Sequence, residues 1–494
     1  MSAGREGSAA VARAGRLLGA IAAAAGALLL AACGGPAPQV QQTERAPTGG
    51  PGAAHAVVWG QCGRDLLGLE PGVECGSMTL PVDWADPAGE TFTTTVYRKK
   101  ADGPSRGTFL NFPGGPGSTA DVGFDAIAEF APGYDLIGID PRGVSGEGAV
   151  LCDLRETLRL PLVPPADESP FAGFAATSER FSSSCATRPA SLQSHLDAYS
   201  NARDADALRS ALGIERVGVY GFSYGSLLGA RYAELFGSRV TATVLEGVLA
   251  PQQSATEFET VAARGAQQIF DAFADWCSAA DECAPLGNDA RGAFRQAVGN
   301  VEAGRVPGTT PSGRAWEPAA VAQLVEGAIG TGDFAGAVAS LADLAGDDPR
   351  GFDEGAAEDD ASSQWFFPDR IVCSDFDLRV SSAEGMRALL AQTTAVAPDV
   401  RVSAESAGYL ATCATGPGPS QGAGAPFAPT TDRPVLLVSN RLDPSTPREW
   451  ADQVAARLGA KAQHIVTELI GHGGALGEPD VLAAVTAYVD AATG

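Results

Sequence analysis

Histidine is scarce in this chain, and so is positive charge. Four His and no C-x-x-C pair in 494 residues leave little from which to build a zinc site, and no other cofactor is called for. Against 59 Asp and Glu stand only 34 Lys and Arg, a formal net charge of -25. A field of that sign repels phosphate backbones and excludes nucleic acid as a partner. Internal repeats are absent. What the chain does have is apolar residues, 45% of the total, enough to bury a large core. Its length fits one large catalytic domain with an insertion as well as three smaller units.

The first 33 residues read as a targeting segment. Arg5, Arg13 and Arg16 precede an uncharged apolar run over 17–32, too short to span a membrane comfortably. The run ends in Leu30-Ala31-Ala32-Cys33, which resembles the bacterial lipobox. That resemblance implies a signal peptide over 1–32, a lipid on Cys33 and an extracytoplasmic, membrane-anchored protein. An ordinary cleaved signal, giving a secreted protein, is the alternative. Residues 33–54, rich in Pro, Gly, Gln and Thr, are expected to form a flexible tether. Of nine cysteines, eight remain once Cys33 is set aside. An even number in an exported chain points to disulfides. Sequential pairing is expected, Cys62–Cys75, Cys152–Cys185, Cys277–Cys283 and Cys373–Cys413, because each pair brackets one loop-like segment.

Between these ends the chain alternates. Strand patterns at 78–82, 91–97, 108–112, 134–140, 216–220 and 240–245 are interleaved with helical patterns at 202–212 and 223–236. This rhythm predicts an α/β fold with a mostly parallel, doubly wound sheet. After Pro251 the patterns become mainly helical, as at 258–276 and 319–329. Strand patterns return at 434–438 and 464–469, before a final helix over 479–492. The expected organisation is a core over 55–251, a helical cap over 252–428, and the rest of the core over 429–494. The acidic run 353–360 reads as a solvated loop.

Gly221-x-Ser223-x-Gly225 could arise by chance in a chain with 61 Gly, and Gly418-Pro-Ser420-Gln-Gly422 is such a decoy. Ser223 differs in standing between a strand and a helix, where small neighbours allow a sharp turn that exposes its hydroxyl. An acyl-transfer nucleophile also needs backbone N–H donors for an oxyanion. Tyr224 offers one, and Gly115, in the Pro113-Gly-Gly-Pro-Gly117 loop after strand 108–112, the other. A base is expected after the last strand, and His472 in "GHGG" fits better than His464, His195 or His55. The carboxylate that orients it is expected at Asp443, after strand 434–438. Ser223, Asp443 and His472 stand in α/β-hydrolase order.

With "NFPGGPG" (111–117), "YDLIGIDPRG" (134–143), "GFSYGSLLGARYAELF" (221–236), "IVCSD" (371–375), "RLDPSTP" (441–447) and "GHGG" (471–474), the chain resembles serine peptidases of the proline iminopeptidase and tripeptidyl aminopeptidase family. The resemblance implies an α/β-hydrolase fold with a helical cap. It also implies release of short peptides from a free N-terminus, the peptide's ammonium being held by carboxylates. Glu246 and Asp375 are the candidates for that role, each with a structural hydrogen bond as its other reading. Asp140 and Arg142 read as structural. Members of the family commonly carry Asp where Glu246 stands and a second Asp where Ala250 stands, which puts the length of the released peptide in doubt. Two other readings stay open. One is a carboxylic ester hydrolase with the same triad; the other is a surface binding protein that kept the fold and lost catalysis.

Overall fold

The computed structural model describes residues 55–60, 71–251, 254–351 and 364–493. The expected signal peptide, Cys33, the tether, Cys62 and the acidic run 353–360 lie outside the described residues.

The strands are β1 (Val58–Gly60), β2 (Val73–Pro81), β3 (Thr91–Lys99), β4 (Thr108–Phe112), β5 (Asp135–Ile139), β6 (Leu151–Asp153), β7 (Val217–Phe222), β8 (Val240–Glu246), β9 (Gln364–Phe366), β10 (Val435–Leu442) and β11 (Ala462–Ile470). Nine form one sheet in the order β1-β2-β3-β5-β4-β7-β8-β10-β11. From β5 to β11 every neighbouring pair is parallel, while β1, β2 and β3 pair antiparallel at one edge. All five residues of β4 are buried, because helices cover both faces of the parallel part. Helices Phe124–Phe130 and Pro479–Thr493 bury Phe124, Ile127, Val485 and Val489 on one face. Helices Ala198–Ala211 and Tyr224–Leu235 bury Ala205, Leu208, Leu227 and Leu228 on the other.

Strand order reverses at β4. The chain runs from β4 outward to β5, then returns to place β7 on β4's other side. Loops leaving β4 and β7 therefore part at their carboxyl ends and open a crevice there, where open α/β sheets hold their sites.

Among the described residues the insertion between β8 and β10 is mainly helical. Its long first helix, Ala255–Cys277, begins with a capping box from Ser254 and Glu257. Phe258, Val261 and Ala262 on its first turns join the core beneath the sheet. Farther along, Ile269, Phe270 and Phe273 build a separate apolar cluster with Val321, Val325, Ile329 and Leu341. One amphipathic helix thus ties the cap to the sheet. Residues before the insertion share in it: β6 pairs with β9 in a small second sheet, and Glu168–Ser184 packs on Ala383–Val396 and Ala404–Thr412. Neither β6, β9 nor Glu168–Ser184 was expected from the sequence. Three of the expected disulfides form, Cys152–Cys185, Cys277–Cys283 and Cys373–Cys413. Cys75 is disulfide-bonded too.

The "DPRG" segment after β5 is structural. Arg142 has a fully buried side chain whose Nε and Nη2 donate to both oxygens of Asp204 at 2.6 and 2.8 Å. Its remaining donors meet the carbonyls of Pro81, Val82 and His195. Asp140 accepts from the Ala120 N–H at 2.8 Å and the Tyr97 hydroxyl at 3.3 Å, and burial pushes its pKa up to about 7. Removing one partner of a buried pair strands the other charge. Arg142→Met should therefore lower the free energy of unfolding by about 3–5 kcal/mol. Urea melts of wild type and variant check this, and a loss below about 1 kcal/mol, the surface-pair value, would contradict it.

Candidate active site

β7 and β4 are registered so that Gly221 lies beside Phe112. At their carboxyl ends the backbones crowd. A Cβ on Gly225 would stand 2.0 Å from the Phe112 carbonyl oxygen, and one on Gly221 2.3 Å from the Gly225 oxygen. Gly114 approaches the nucleophile from the other loop, where a Cβ would lie 3.1 Å from the Ser223 Cβ. Between these glycines Ser223 takes φ 56°, a left-handed backbone that a non-glycine residue rarely adopts. Its N–H is held by the Glu246 carbonyl at 2.9 Å, and the helix Tyr224–Leu235 starts immediately after it.

Asp443 follows the end of β10. One of its oxygens, Oδ1, accepts the N–H groups of Ser445 and Thr446 at 2.9 and 2.8 Å, and Oδ2 accepts the Thr446 hydroxyl at 2.8 Å. His472 follows β11, and its Nδ1 lies 2.9 Å from Oδ2 and 3.1 Å from Oδ1. Two clamps hold the His472 loop. Asn440 of β10 donates to the carbonyls of Gly471 and Gly473 at 2.8 and 2.7 Å, and the His472 N–H reaches the cap at the Gly330 carbonyl, 3.0 Å away. Phe222, just before the nucleophile, lays its ring against the imidazole with centroids 4.9 Å apart. Burial opposes a charged imidazole here, yet the Asp443 carboxylate, with Glu405 and Glu246 farther off, holds its pKa up at about 9.

Ser223, Gly115 and Tyr224 line one cavity, with Thr446 at its edge. Among the described residues the Ser223 hydroxyl makes no hydrogen bond, and apo active sites commonly tighten such contacts only with substrate. Leu249, Phe258, Ala262, Val372 and Phe376 supply apolar walls, and free space amounts to about 30 Å³. On the cap side stand Ser403, Glu405 and Ser406.

The structure gathers Ser223, Tyr224, Gly115, Asp443 and His472 at one end of the sheet, but it corrects the two amine candidates. Glu246 does not reach the cavity rim: it is 4% exposed, and its Oε2 accepts the Tyr220 hydroxyl at 2.7 Å. Asp375 is 6% exposed, taking the Tyr224 hydroxyl at 2.5 Å and the Ala198 N–H at 2.9 Å; burial pushes its pKa up to about 7. Strand direction placed Glu246 at the correct end of the sheet but said nothing of which way its side chain turns. The acid that does line the cavity is Glu405, from helix Ala404–Thr412 of the cap. Exposed, it accepts the Ser445 hydroxyl at 2.8 Å. No motif marks it in the sequence. Behind it burial pushes Glu326 and Glu259 up to about 8 and Asp369 up to about 6.

Comparisons with known proteins agree with this architecture. A family model described as alpha/beta hydrolase fold matches residues 107–317, and one described as TAP-like protein matches residues 400–493. Serine protease Hip1 of Mycobacterium tuberculosis is 32% identical over 257 residues, 50% of this chain and 49% of that protein. Tripeptidyl aminopeptidase of Streptomyces lividans is 29% identical over 255 residues, 48% of this chain and 47% of that protein. In both, the match spans about half the length of the relative. Carboxylesterase B of Mycobacterium tuberculosis is 29% identical over 459 residues, 83% of this chain and 84% of that protein. The chain thus has an α/β-hydrolase fold, and its residues 400–493 are similar to proteins of the TAP-like kind.

Proposed function

We propose that this protein is an exported serine exopeptidase that releases short peptides from free N-termini through an acyl-enzyme. The observation that carries the reading is the His472–Asp443 pair, 2.9 Å apart, at the sheet end where Ser223 is held on a left-handed elbow. In this reading the Ser223 Oγ attacks the scissile carbonyl and its proton passes to His472 Nε2. Asp443 keeps Nδ1 protonated and balances the imidazolium. Negative charge on the carbonyl oxygen meets the N–H groups of Gly115 and Tyr224. His472 then gives its proton to the leaving amine, and water, deprotonated in turn by His472, frees the acyl group and restores Ser223. Export, with lipid on Cys33 as the membrane anchor, rests on the first 33 residues and on the disulfides.

Glu405 takes the role of amine anchor. It is a carboxylate in the cavity beside Ser223, and Glu326, Glu259 and Asp369 around it are raised by burial, so a cation there would lower the cost of charging those three. Ester hydrolysis is the second reading, favoured by the length of the match to Carboxylesterase B.

Ser223→Ala should cut kcat by about 10⁴–10⁶ and abolish labelling by a fluorophosphonate; a drop under about tenfold would mean that another residue is the nucleophile. Because a protonated imidazole cannot take the Ser223 proton, kcat/KM should climb with pH along a limb centred above the usual imidazole value of about 6.5, towards about 9. A pH–rate profile centred at or below that usual value contradicts the charge balance described. Glu405→Gln should raise KM for free-amine peptides by about 10–100-fold, the worth of one charge-assisted contact, and leave a small acyl ester untouched. N-acetylated peptides should not turn over. Equal turnover of acetylated and free peptides would instead support an esterase or endopeptidase.

A further inference from the structure

Glu246 is left without an assignment once it is removed from the amine site, yet it sits where the nucleophile and the base meet. Its main chain and its side chain serve different partners. The carbonyl accepts the Ser223 N–H at 2.9 Å, holding the elbow. The carboxylate turns the other way and accepts the Tyr220 hydroxyl at 2.7 Å, and the Ala475 N–H, in the loop that carries His472, favours its ionised form. Gly247, the next residue, lies beneath the imidazole: a Cβ there would stand 3.2 Å from His472 Cε1 and 3.0 Å from the Thr446 hydroxyl. The residue pair 246–247 is therefore packed against Ser223, His472 and Thr446, the last of which donates its hydroxyl to Asp443.

The charges around Glu246 are few. β7 contributes Tyr220, the turn after β10 contributes Asp443, and the loop after β11 contributes His472 and the Ala475 N–H. Among the described residues no Lys or Arg pairs with it, and His472 is the cation that favours its ionised form. Burial works against that form, and the Tyr220 hydroxyl works for it. A buried carboxylate without a permanent counterion is costly unless a positive charge appears beside it. Proton transfer from Ser223 creates that charge.

We infer that Glu246 is a positioning residue that acts through His472: its carboxylate anchors the histidine loop and supplies a second negative charge, besides Asp443, that balances the imidazolium formed during acyl transfer. This rests on the serine-hydrolase reading above. Glu246 touches no substrate, so its removal should leave KM alone and act on the base.

Two substitutions separate charge from hydrogen bonding. Glu246→Gln keeps the shape and removes the charge, whereas Tyr220→Phe removes one hydrogen bond and keeps the charge. Each is assayed by the pH dependence of kcat/KM on a small acyl ester and of fluorophosphonate labelling of Ser223. Glu246→Gln should lower kcat by about tenfold and move the acid limb down by about one pH unit, KM being unchanged. Tyr220→Phe should leave the limb where it is. A limb that does not move in Glu246→Gln, or that moves equally in both, makes Glu246 structural only and overturns the inference. If Glu246→Gln does not fold, Glu246→Asp retains the charge but withdraws it from Ala475: a lower rate with the wild-type limb supports the inference, and a wild-type rate overturns it. Absence of labelling in the wild type is a separate result, which overturns the nucleophile assignment together with this inference; with labelling intact, loss of peptide turnover alone bears on the substrate and not on Glu246.

Discussion

The contact between His472 Nδ1 and Asp443 depends on two parallel strands ending together. β10 and β11 stay in register from Val435 beside Ala462 to Asn440 beside Thr467, and a one-residue shift before Leu442, which pairs with Ile470, sets the height at which the residues beyond them emerge. One residue of slip would move the imidazole by more than 3 Å, beyond hydrogen-bond range of the carboxylate. Asn440 stiffens that register by donating to two carbonyls of the histidine loop from within β10. Asp443 in turn accepts from Ser445, Thr446 and His472. With its lone pairs so fully used, the carboxylate has one orientation and presents one face to the base.

The nucleophile side of the crevice is governed by steric exclusion. The Phe112 carbonyl comes so close to Gly225 that no side chain fits between β4 and the start of the helix. That closeness brings the Pro113–Gly117 loop over Ser223, so the two N–H groups assigned to the oxyanion come from neighbouring strands. The cap uses the same device. A Cβ on Gly265 would stand 2.5 Å from the Pro447 ring, so a glycine in the middle of helix Ala255–Cys277 lets the cap rest on the turn that holds Asp443. Gly330, at the end of another cap helix, accepts the His472 N–H. The cap is thus part of the scaffold that fixes the base.

Features carried by local pattern were readable in the sequence, and features that need a long-range contact were not. The strand at 108–112 and the helix after Ser223 declared themselves by apolar runs and glycine stops. So did the positions of Asp443 and His472, because strand direction alone sends the following residues to one rim. Cysteines adjacent along the chain proved to be partners in the three bridges described. By contrast, Glu168–Ser184 shows only Phe174, Ser178 and Phe181 as buried residues on a mostly polar helix, too thin a stripe to stand out. Glu405 looks like any surface glutamate until helix Ala404–Thr412 is folded over the crevice. Glu246 and Asp375 were placed near the site correctly but aimed wrongly, since each side chain is claimed by a tyrosine hydroxyl from a neighbouring element.

Electrostatics carries the argument one step beyond geometry. Three carboxylates act on His472: Asp443 by direct contact, Glu405 from the cap and Glu246 from beneath. A single contacting acid suffices to orient the ring, but the site keeps two more in a chain that already holds an excess of negative charge. Each adds to the stability of the imidazolium, and each makes the neutral base scarcer at low pH. Such an arrangement suits a reaction whose transition state gathers positive charge on the histidine and whose substrate brings a cation of its own. A positive charge placed beside Glu405 would offset that acid's pull on the imidazole and favour the neutral base.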